Sequence, residues 1–237
     1  MKNDMNAVVT GASKGIGRAV ATRLAKEGCN VAICARGEGP LQEAAAAAQA
    51  ANPRVKVLAL PVDMADKAAV LQFARSVQDA FGVVDILVNN AGIFIPGALQ
   101  NEADGLLEQL MATNVYSAYH LTRSLLPGMI AQRRGHIFNL CSSASHNAYP
   151  NGGSYGITKF ALLGFSRNLR EELKTANVKV TAISPGPTLT ASWDGFNAPA
   201  GRMMEPEDVA SVLWTAYTLA PQTVIEDIIM QPMLGAI

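Results

Sequence analysis

The stretch AVVTGASKGIG, residues 7–17, decides the fold of this chain. Its first four residues are aliphatic or β-branched and predict a buried strand, and a helical pattern begins at Gly15. The glycines permit positive φ and close backbone approach, while a helix N-terminus offers unpaired N–H groups and a positive partial charge. The stretch therefore predicts a turn that binds a pyrophosphate. A purely structural turn is the alternative, because the spacing is neither G-x-G-x-x-G nor that of a Walker A loop.

Short aliphatic runs and helical patterns alternate along the rest of the chain. The predicted strands are residues 7–10, 30–35, 55–60, 83–89, 136–141, 178–184 and 226–231. The predicted helices are residues 15–28, 40–52, 66–81, 103–134, 155–176 and 207–219. Repeated strand–helix–strand units form right-handed crossovers and a parallel sheet. We therefore expect an α/β fold in a single domain over residues 1–237, with a doubly wound parallel sheet of about seven strands and helices on both faces.

The composition excludes several classes of protein. With 237 residues, 49% hydrophobic and 16% charged, the chain can bury a large core and is neither disordered nor fibrous. Its 19 basic and 19 acidic residues balance, so neither nucleic acid nor a membrane is expected as a partner. Three cysteines without a C-x-x-C pair, no signal peptide and no apolar run of membrane-spanning length predict a cytoplasmic protein. The three histidines lack metal-ligand spacing, so no metal site is expected.

Two cations follow the first two strands. Dinucleotide-binding folds that prefer NAD place a carboxylate at the end of the second strand, where it binds the ribose 2′-hydroxyl. This chain has Arg36 there, and Lys14 lies within the glycine-rich turn. Cations without a repelling anion favour a 2′-phosphate, so these residues predict NADP(H) as the cofactor. The alternative is that both are solvated surface charges.

Tyr155 and Lys159 stand four residues apart in a helical pattern and project from one face. Because an ammonium close to a phenol favours phenolate, Lys159 is expected to lower the pKa of Tyr155. Ser142 follows the fifth strand and the segment NNAG, residues 89–92, follows the fourth. Ligands bind outside the carboxyl ends of parallel strands, so these groups are expected to meet at one rim. Taken alone, the Tyr-Lys pair would be an exposed surface pair.

The motifs resemble, in order and over the whole length, those of the classical short-chain dehydrogenase/reductase family, whose fold is Rossmann-like. They are residues 10–17, residues 89–92, Asn114, Ser142, Tyr155 with Lys159, and residues 185–186. The resemblance implies that Tyr155 is the general acid/base and that Lys159 lowers its pKa and binds the nicotinamide ribose. It also implies that Ser142 hydrogen-bonds the substrate oxygen and that Asn114 holds a water in the proton path.

The same resemblance implies a set of cofactor-binding residues. Asp63 and Met64 would flank the adenine, and the segment after Pro185 would bind the carboxamide. Thr188 departs from the Ile or Val that the family often has there. The complete expected set is Gly11, Ser13, Lys14, Gly15, Ile16, Gly17, Arg36, Asp63, Met64, Asn90, Ala91, Gly92, Tyr155, Lys159, Pro185, Gly186, Thr188 and Thr190.

The implied function is NADP(H)-dependent interconversion of a ketone or aldehyde and the corresponding alcohol by hydride transfer. Residues 186–205 lack a clear pattern and are expected to form the substrate loop, with His146 near its mouth. A 3-oxoacyl-carrier-protein reductase is one alternative, although this chain lacks the V-D-G-G ending common in those enzymes. A catalytically silent NADP(H)-sensing protein is the other. A serine hydrolase is disfavoured because no G-x-S-x-G elbow is present. The resemblance further implies a homotetramer or a dimer.

Overall fold

One parallel sheet forms the centre of the computed structural model, which describes residues 5–193, 195, 196 and 199–235. Its seven strands are β1 (Met5–Thr10), β2 (Cys29–Ala35), β3 (Val57–Pro61), β4 (Ile86–Asn89), β5 (Gly135–Leu140), β6 (Val178–Pro185) and β7 (Asp227–Met230). They lie in the order β3-β2-β1-β4-β5-β6-β7. The direction of winding reverses between β1 and β4, and this is where a doubly wound sheet opens a crevice for ligands.

Helices cover both faces of the sheet. The α-helices are α1 (Gly15–Lys26), α2 (Glu38–Ala51), α3 (Lys67–Phe81), α4 (Leu106–Met111), α5 (Ser117–Ala131), α6 (Gly153–Leu173) and α7 (Pro206–Thr218). On one face, side chains such as Leu24 of α1 and Leu41 of α2 share a core cluster with Leu213 of α7. On the other, Phe73 of α3 and Leu121 of α5 share a second cluster with helix α6. The predicted fold class is confirmed.

The predicted single helix over residues 103–134 is shorter in the structure and is not α-helical throughout. Helix α4 begins at Leu106, after Gly105 in a left-handed conformation (φ 85°), and a π-helical turn over Ala112–Tyr116 separates it from α5. In this turn the Ser117 N–H donates to the Ala112 carbonyl, five residues earlier. A π turn carries one extra residue, which breaks the helical register without ending the helix. The apolar periodicity of the sequence continues through the break and does not reveal it.

The segment predicted as the substrate loop connects β6 to α7. Within it the structure describes a 3-10 turn over Ala191–Trp193 and an isolated β-bridge between Thr188 and Met204. Residues 194, 197 and 198 of the predicted loop lie outside the described residues, as do residues 1–4 and 236–237 at the chain ends. The described helices include none that is both long and apolar enough to cross a lipid bilayer.

His136 on β5 is buried without a charged partner. Its Nε2 lies 2.8 Å from the Thr181 hydroxyl, and its ring stacks on Phe138 with centroids 3.9 Å apart. Burial, assisted by the nearby charge of Lys179, lowers the pKa of His136 to about 3. The imidazole is therefore neutral in the folded chain at pH values where it is protonated in the unfolded chain.

We expect His136 to make the protein acid-sensitive. Between the unfolded pKa of 6.5 and the folded value of about 3, only the unfolded chain binds this proton, so the free energy of unfolding falls as the pH falls through that window. The loss is up to about 1.4 kcal/mol per pH unit. Urea unfolding of the wild type and of His136→Gln at several pH values in this window measures it, and the variant should show the shallower slope.

A matched control for this experiment is His120→Gln. His120 lies half-buried on α5, where solvent screens its charge, so its removal should change the slope much less. Equal pH slopes for the wild type and His136→Gln would contradict the assignment.

Candidate active site

A cavity of about 710 Å³ opens at the carboxyl ends of the central strands. It is bounded by the glycine-rich turn after β1, the ends of β4, β5 and β6, and the start of α6. Fifteen of the sequence-predicted site residues line it: Gly11, Ser13, Lys14, Gly15, Ile16, Gly17, Asn90, Gly92, Ser142, Tyr155, Lys159, Pro185, Gly186, Thr188 and Thr190. The motifs predict that these groups meet at one rim of the sheet, and in the structure these fifteen residues do lie around one cavity there.

Close packing holds the glycine-rich turn in shape. Gly11 has φ 64°, a conformation that favours glycine, and a Cβ added to Gly17 would overlap the Gly11 carbonyl oxygen. The Asn90 amide donates to the carbonyl oxygens of Thr10 (2.8 Å) and Gly11 (3.0 Å). The Thr10 hydroxyl in turn accepts from the backbone N–H of Asn90 at 3.0 Å. These bonds fasten the turn after β1 to the end of β4.

The N-terminus of α1 is open to the cavity. Its N-cap residue is Lys14, which makes no side-chain capping bond, and Gly15, Ile16 and Gly17 of the first turn line the cavity. Uncapped N–H groups and the helix dipole together attract an anion. There is no room for a side chain at Gly17, which packs against Gly11 and Asn90. A pyrophosphate fits this cradle.

Lys14 and Arg36 are both exposed, and no described residue forms a hydrogen bond or ion pair with either side chain. Arg36 and Asp63 do not line the cavity. Asp63 is exposed at the end of the β3 segment, where its carboxylate accepts from the Ala65 N–H at 3.0 Å. The two cations are therefore free to bind a phosphate at the outer edge of the crevice.

Two other residues that we expected to contact the cofactor point toward the protein interior instead. The Met64 side chain is buried in the core, with its sulfur 3.6 Å from the sulfur of Cys34. The Ala91 N–H donates to the Thr10 hydroxyl at 2.9 Å. Neither residue lines the cavity. Any contact of Met64 or Ala91 with a cofactor would therefore have to come from backbone atoms that are not already hydrogen-bonded.

Helix α6 begins at Gly153 and brings Tyr155 and Lys159 into the cavity one turn apart. The Lys159 ammonium lies 5.7 Å from the centre of the Tyr155 ring and donates to the Leu140 carbonyl oxygen at 2.9 Å. Ser142 caps a 3-10 turn, its hydroxyl accepting from the Ala144 N–H at 3.1 Å. The Ser142 hydroxyl lies near enough to the Tyr155 phenol to lower its pKa. Phenol, hydroxyl and ammonium thus share one cavity wall.

The pKa of Tyr155 shifts in the direction opposite to the one expected from sequence. Burial raises it most, the Ser142 hydrogen bond lowers it, and nearby Cys141 raises it further. Burial also lowers the pKa of Lys159. Removal from water disfavours the charged form of both groups. The i,i+4 spacing places the two side chains together but does not reveal how deeply the protein buries them.

Asn114 lies in the π turn between α4 and α5 and is buried behind the cavity rather than lining it. Its side chain accepts from the Ile93 N–H at 2.8 Å and donates to the Ile93 carbonyl at 3.1 Å. A further bond from its amide reaches the Thr158 hydroxyl at 3.0 Å. Asn114 thus fixes the chain after β4 against α6. A water held by this residue stays a prediction.

The segment after β6 closes one side of the cavity. Thr188 is buried and its hydroxyl donates to the Gly186 carbonyl at 3.0 Å, whereas Thr190 packs against Gly15 of the glycine-rich turn. His146 does not itself line the cavity, although Ala144 and Asn147 beside it do; its Nε2 lies 2.9 Å from the Ser184 hydroxyl.

Aromatic side chains form part of the cavity wall. Phe94, Tyr149 and Trp193 line the cavity but come from three separate loops. No spacing rule connects residues so far apart in the chain, but all three lie in loops that follow strand ends, where binding residues are common. Within the described part of the chain, no cluster of three or more His, Cys, Asp or Glu side chains is placed to hold a metal ion.

The chain matches known proteins over nearly its whole length. The family model for short chain dehydrogenase matches residues 5–200. An uncharacterized oxidoreductase of Staphylococcus aureus (strain MRSA252) is 32% identical over 230 residues, 97% of this chain and 98% of that protein. A metagenomic short-chain oxidoreductase, solved in complex with NADP, has a TM-score of 0.85 and 33% identity, with 97% of each chain covered. An alcohol dehydrogenase from the archaeon Thermococcus sibiricus, solved with 5-hydroxy-NADP, has a TM-score of 0.89 and 25% identity, again with 97% of each chain covered.

Proposed function

Because the chain belongs to the short-chain dehydrogenase family, we propose that it is an NADP(H)-dependent oxidoreductase that interconverts a ketone or aldehyde and the corresponding alcohol. The observation that carries this proposal is the shared cavity. An uncapped helix N-terminus, the Tyr155 phenol, the Ser142 hydroxyl and the buried Lys159 ammonium open into the same cavity of about 710 Å³. One end suits a pyrophosphate, and the other suits a carbonyl group that must gain or lose a proton.

The chain's own residues would handle the proton and the charge on oxygen. When bound, a nicotinamide cofactor supplies or accepts the hydride. Tyr155 would donate its phenolic proton to the carbonyl oxygen in the reducing direction. Ser142, which lines the same cavity as Tyr155, would hydrogen-bond the same oxygen and stabilise the charge that builds there. Lys159 would hold the nicotinamide ribose and keep positive charge beside the phenol.

In the reducing direction Tyr155 would begin in the protonated form that its surroundings favour. Burial raises the pKa of Tyr155, so the phenol is protonated at neutral pH and ready to act as an acid. Oxidation would require the same group to begin as phenolate, which burial disfavours.

Replacement of Tyr155 by Phe tests the mechanism. The variant should keep its fold and its affinity for NADPH, because the lost hydroxyl belongs to the proton-transfer step. The turnover number for carbonyl reduction should fall by about 100-fold to 10,000-fold. Tyr119→Phe, which alters an exposed tyrosine on α5, is the matched control and should turn over normally.

Steady-state NADPH oxidation with a panel of ketones and aldehydes, together with a fluorescence titration of NADPH, provides both readouts. Near-normal turnover by Tyr155→Phe would exclude the assigned role. Tight NADPH binding by the wild type without any carbonyl reduction would favour a cofactor-sensing protein instead.

The proposed preference for NADP(H) rests on Lys14 and Arg36. Both side chains are exposed and without a described partner beside the pyrophosphate cradle, and no carboxylate ends β2. The two similar solved structures were determined with NADP or 5-hydroxy-NADP. Arginine and lysine bind a 2′-phosphate through charge-assisted hydrogen bonds that a 2′-hydroxyl cannot match.

Removal of either cation should therefore weaken NADPH but not NADH. Lys14→Ala and Arg36→Ala are each expected to raise the Kd for NADPH roughly tenfold, equivalent to about 1.4 kcal/mol. The Kd for NADH should stay within about twofold, because the contacts to the pyrophosphate are unchanged. Arg75→Ala on α3 removes a similarly exposed cation and serves as the control. Equal losses for both cofactors would refute the assignment.

A homo-oligomer, either tetramer or dimer, is part of the proposal. Helices α5 and α6 expose large apolar side chains, among them Ile130, Ile157 and Phe160. Ile229 at the end of β7 and Met233 after it are exposed as well. Exposed apolar groups of this size are typical of surfaces that a second protein covers. The cytoplasmic location stays a prediction from composition.

A further inference from the structure

The substrate end of the cavity is apolar and ringed by aromatic side chains. Two charged side chains are among the described residues that line the cavity, Lys14 and Lys159. Lys14 belongs to the glycine-rich turn, and the Lys159 ammonium is bound to the Leu140 carbonyl. Apolar and aromatic residues also line the cavity, namely Ile93, Phe94, Tyr149, Pro150, Pro187 and Trp193, together with the uncharged polar residues Ser143, Asn147 and Gln231.

A series of ring contacts leads from the phenol to the protein surface. Phe94 packs edge-to-face on Tyr155, with ring centroids 4.7 Å apart and planes at 74°. The Trp193 ring lies 6.1 Å from Phe94 and 5.4 Å from Phe196, which is 49% exposed. Rings at these distances and angles gain from further edge and offset contacts with an aromatic guest.

We propose that the physiological substrate class is neutral carbonyl compounds that carry an aromatic ring beside the carbonyl, bound against Phe94 and Trp193. The proposal rests on the proposed function. A carboxylate or phosphate on the substrate would lose hydration at this wall without gaining a cationic partner from the described lining residues other than Lys14 and Lys159, whereas a ring gains apolar and ring contacts. In the reduction the carbonyl carbon gains a hydride from NADPH, the oxygen gains the Tyr155 proton, and the products are an alcohol and NADP⁺.

Matched substrates test the charge and the ring separately. Acetophenone and 4-acetylbenzoate differ by one carboxylate, and acetophenone and cyclohexyl methyl ketone differ in the aromaticity of one ring. We expect kcat/KM to be at least about tenfold higher for acetophenone than for 4-acetylbenzoate, and about threefold higher than for cyclohexyl methyl ketone.

Variants of the wall connect this preference to named residues. Phe94→Leu and Trp193→Leu should each lower kcat/KM for acetophenone by about five- to tenfold while leaving the Kd for NADPH unchanged. Phe81→Leu, at the end of α3 and outside the cavity, is the control and should have no effect on it. The ratio between acetophenone and cyclohexyl methyl ketone should fall toward one in both wall variants.

The outcomes separate this inference from the proposed function. Equal or faster turnover of 4-acetylbenzoate, or an unchanged ketone ratio in both wall variants, overturns the substrate class and leaves the enzyme assignment standing. Absence of turnover with every carbonyl compound, despite NADPH binding, overturns both.

A separate observation concerns the start of α6. Glu102, in the loop after β4, accepts from the Ser154 backbone N–H at 2.8 Å with one carboxylate oxygen and from the Ser154 hydroxyl with the other. Nearby, the Gly97 N–H donates to the Asn151 carbonyl at 2.9 Å. Gly153 has φ 43°, and a Cβ there would overlap the Glu102 carboxylate. Glu102 thus caps α6 from a distant part of the chain.

The geometry points to Glu102 as a positioning residue for Tyr155. Ser154, which it holds through both backbone and side chain, directly precedes Tyr155. The loop that carries Glu102 also carries Phe94, whose ring contacts Tyr155. A carboxylate that accepts two bonds at a helix N-terminus fixes the first turn and interacts favourably with the helix dipole. Glu102 itself does not line the cavity and so acts through its neighbours.

Glu102→Ala should lower kcat about tenfold or more while the Kd for NADPH stays within about twofold, because small displacements of a reacting group are costly. Glu102→Gln keeps an acceptor for the Ser154 N–H and should restore kcat to within about threefold. Glu108→Ala, an exposed acid on α4, is the control. Urea unfolding identifies any variant that fails to fold. Wild-type kcat in folded Glu102→Ala, or a Gln variant as slow as the Ala variant, overturns the role.

Discussion

The backbone of α1 approaches the end of β1 so closely that a Cβ at Gly17 would overlap the Gly11 carbonyl oxygen. The remainder of the site depends on this approach. It leaves backbone N–H groups as the surface of the turn, and the Asn90 amide fastens that surface to the end of β4. Because β1 and β4 flank the point where the sheet reverses its winding, the Asn90 amide and the Thr10 hydroxyl together connect the two halves of the crevice.

Desolvation governs the chemistry on the opposite wall. Burial favours the neutral forms of both Tyr155 and Lys159. Among the groups near the phenol, the Ser142 hydroxyl is the one that lowers its pKa. The ammonium interacts with the Leu140 carbonyl rather than with the phenol. Charges act strongly in a site with little water, so the protonation state of this pair depends on the charge of whatever occupies the cavity. A neutral phenol that acts as an acid is compatible with this desolvated wall.

The residues that could be predicted from sequence are those whose roles depend on local spacing. Three such signals are local: the strand–turn–helix stretch, the alternation of strands and helices, and the four-residue separation of Tyr155 and Lys159. From them the residues at the crevice could be predicted. Long-range properties escaped prediction. Three of them depend on three-dimensional packing that no single stretch of sequence encodes. They are the inward packing of Met64 against Cys34, the direction of the pKa shift at Tyr155 and the pairing of Phe94 with Trp193.

The π turn at Ala112–Tyr116 gives the helix over α4 and α5 an insertion of one residue, which offsets the faces on its two sides by about 100°. The offset lets α4 and α5 present separate apolar faces while Asn114 turns toward the chain after β4. Chain length in this region is therefore constrained as tightly as side-chain identity. A one-residue deletion would restore an ordinary α-helix and rotate one half of it, so homologues of this chain can be expected to vary here in composition but not in residue count.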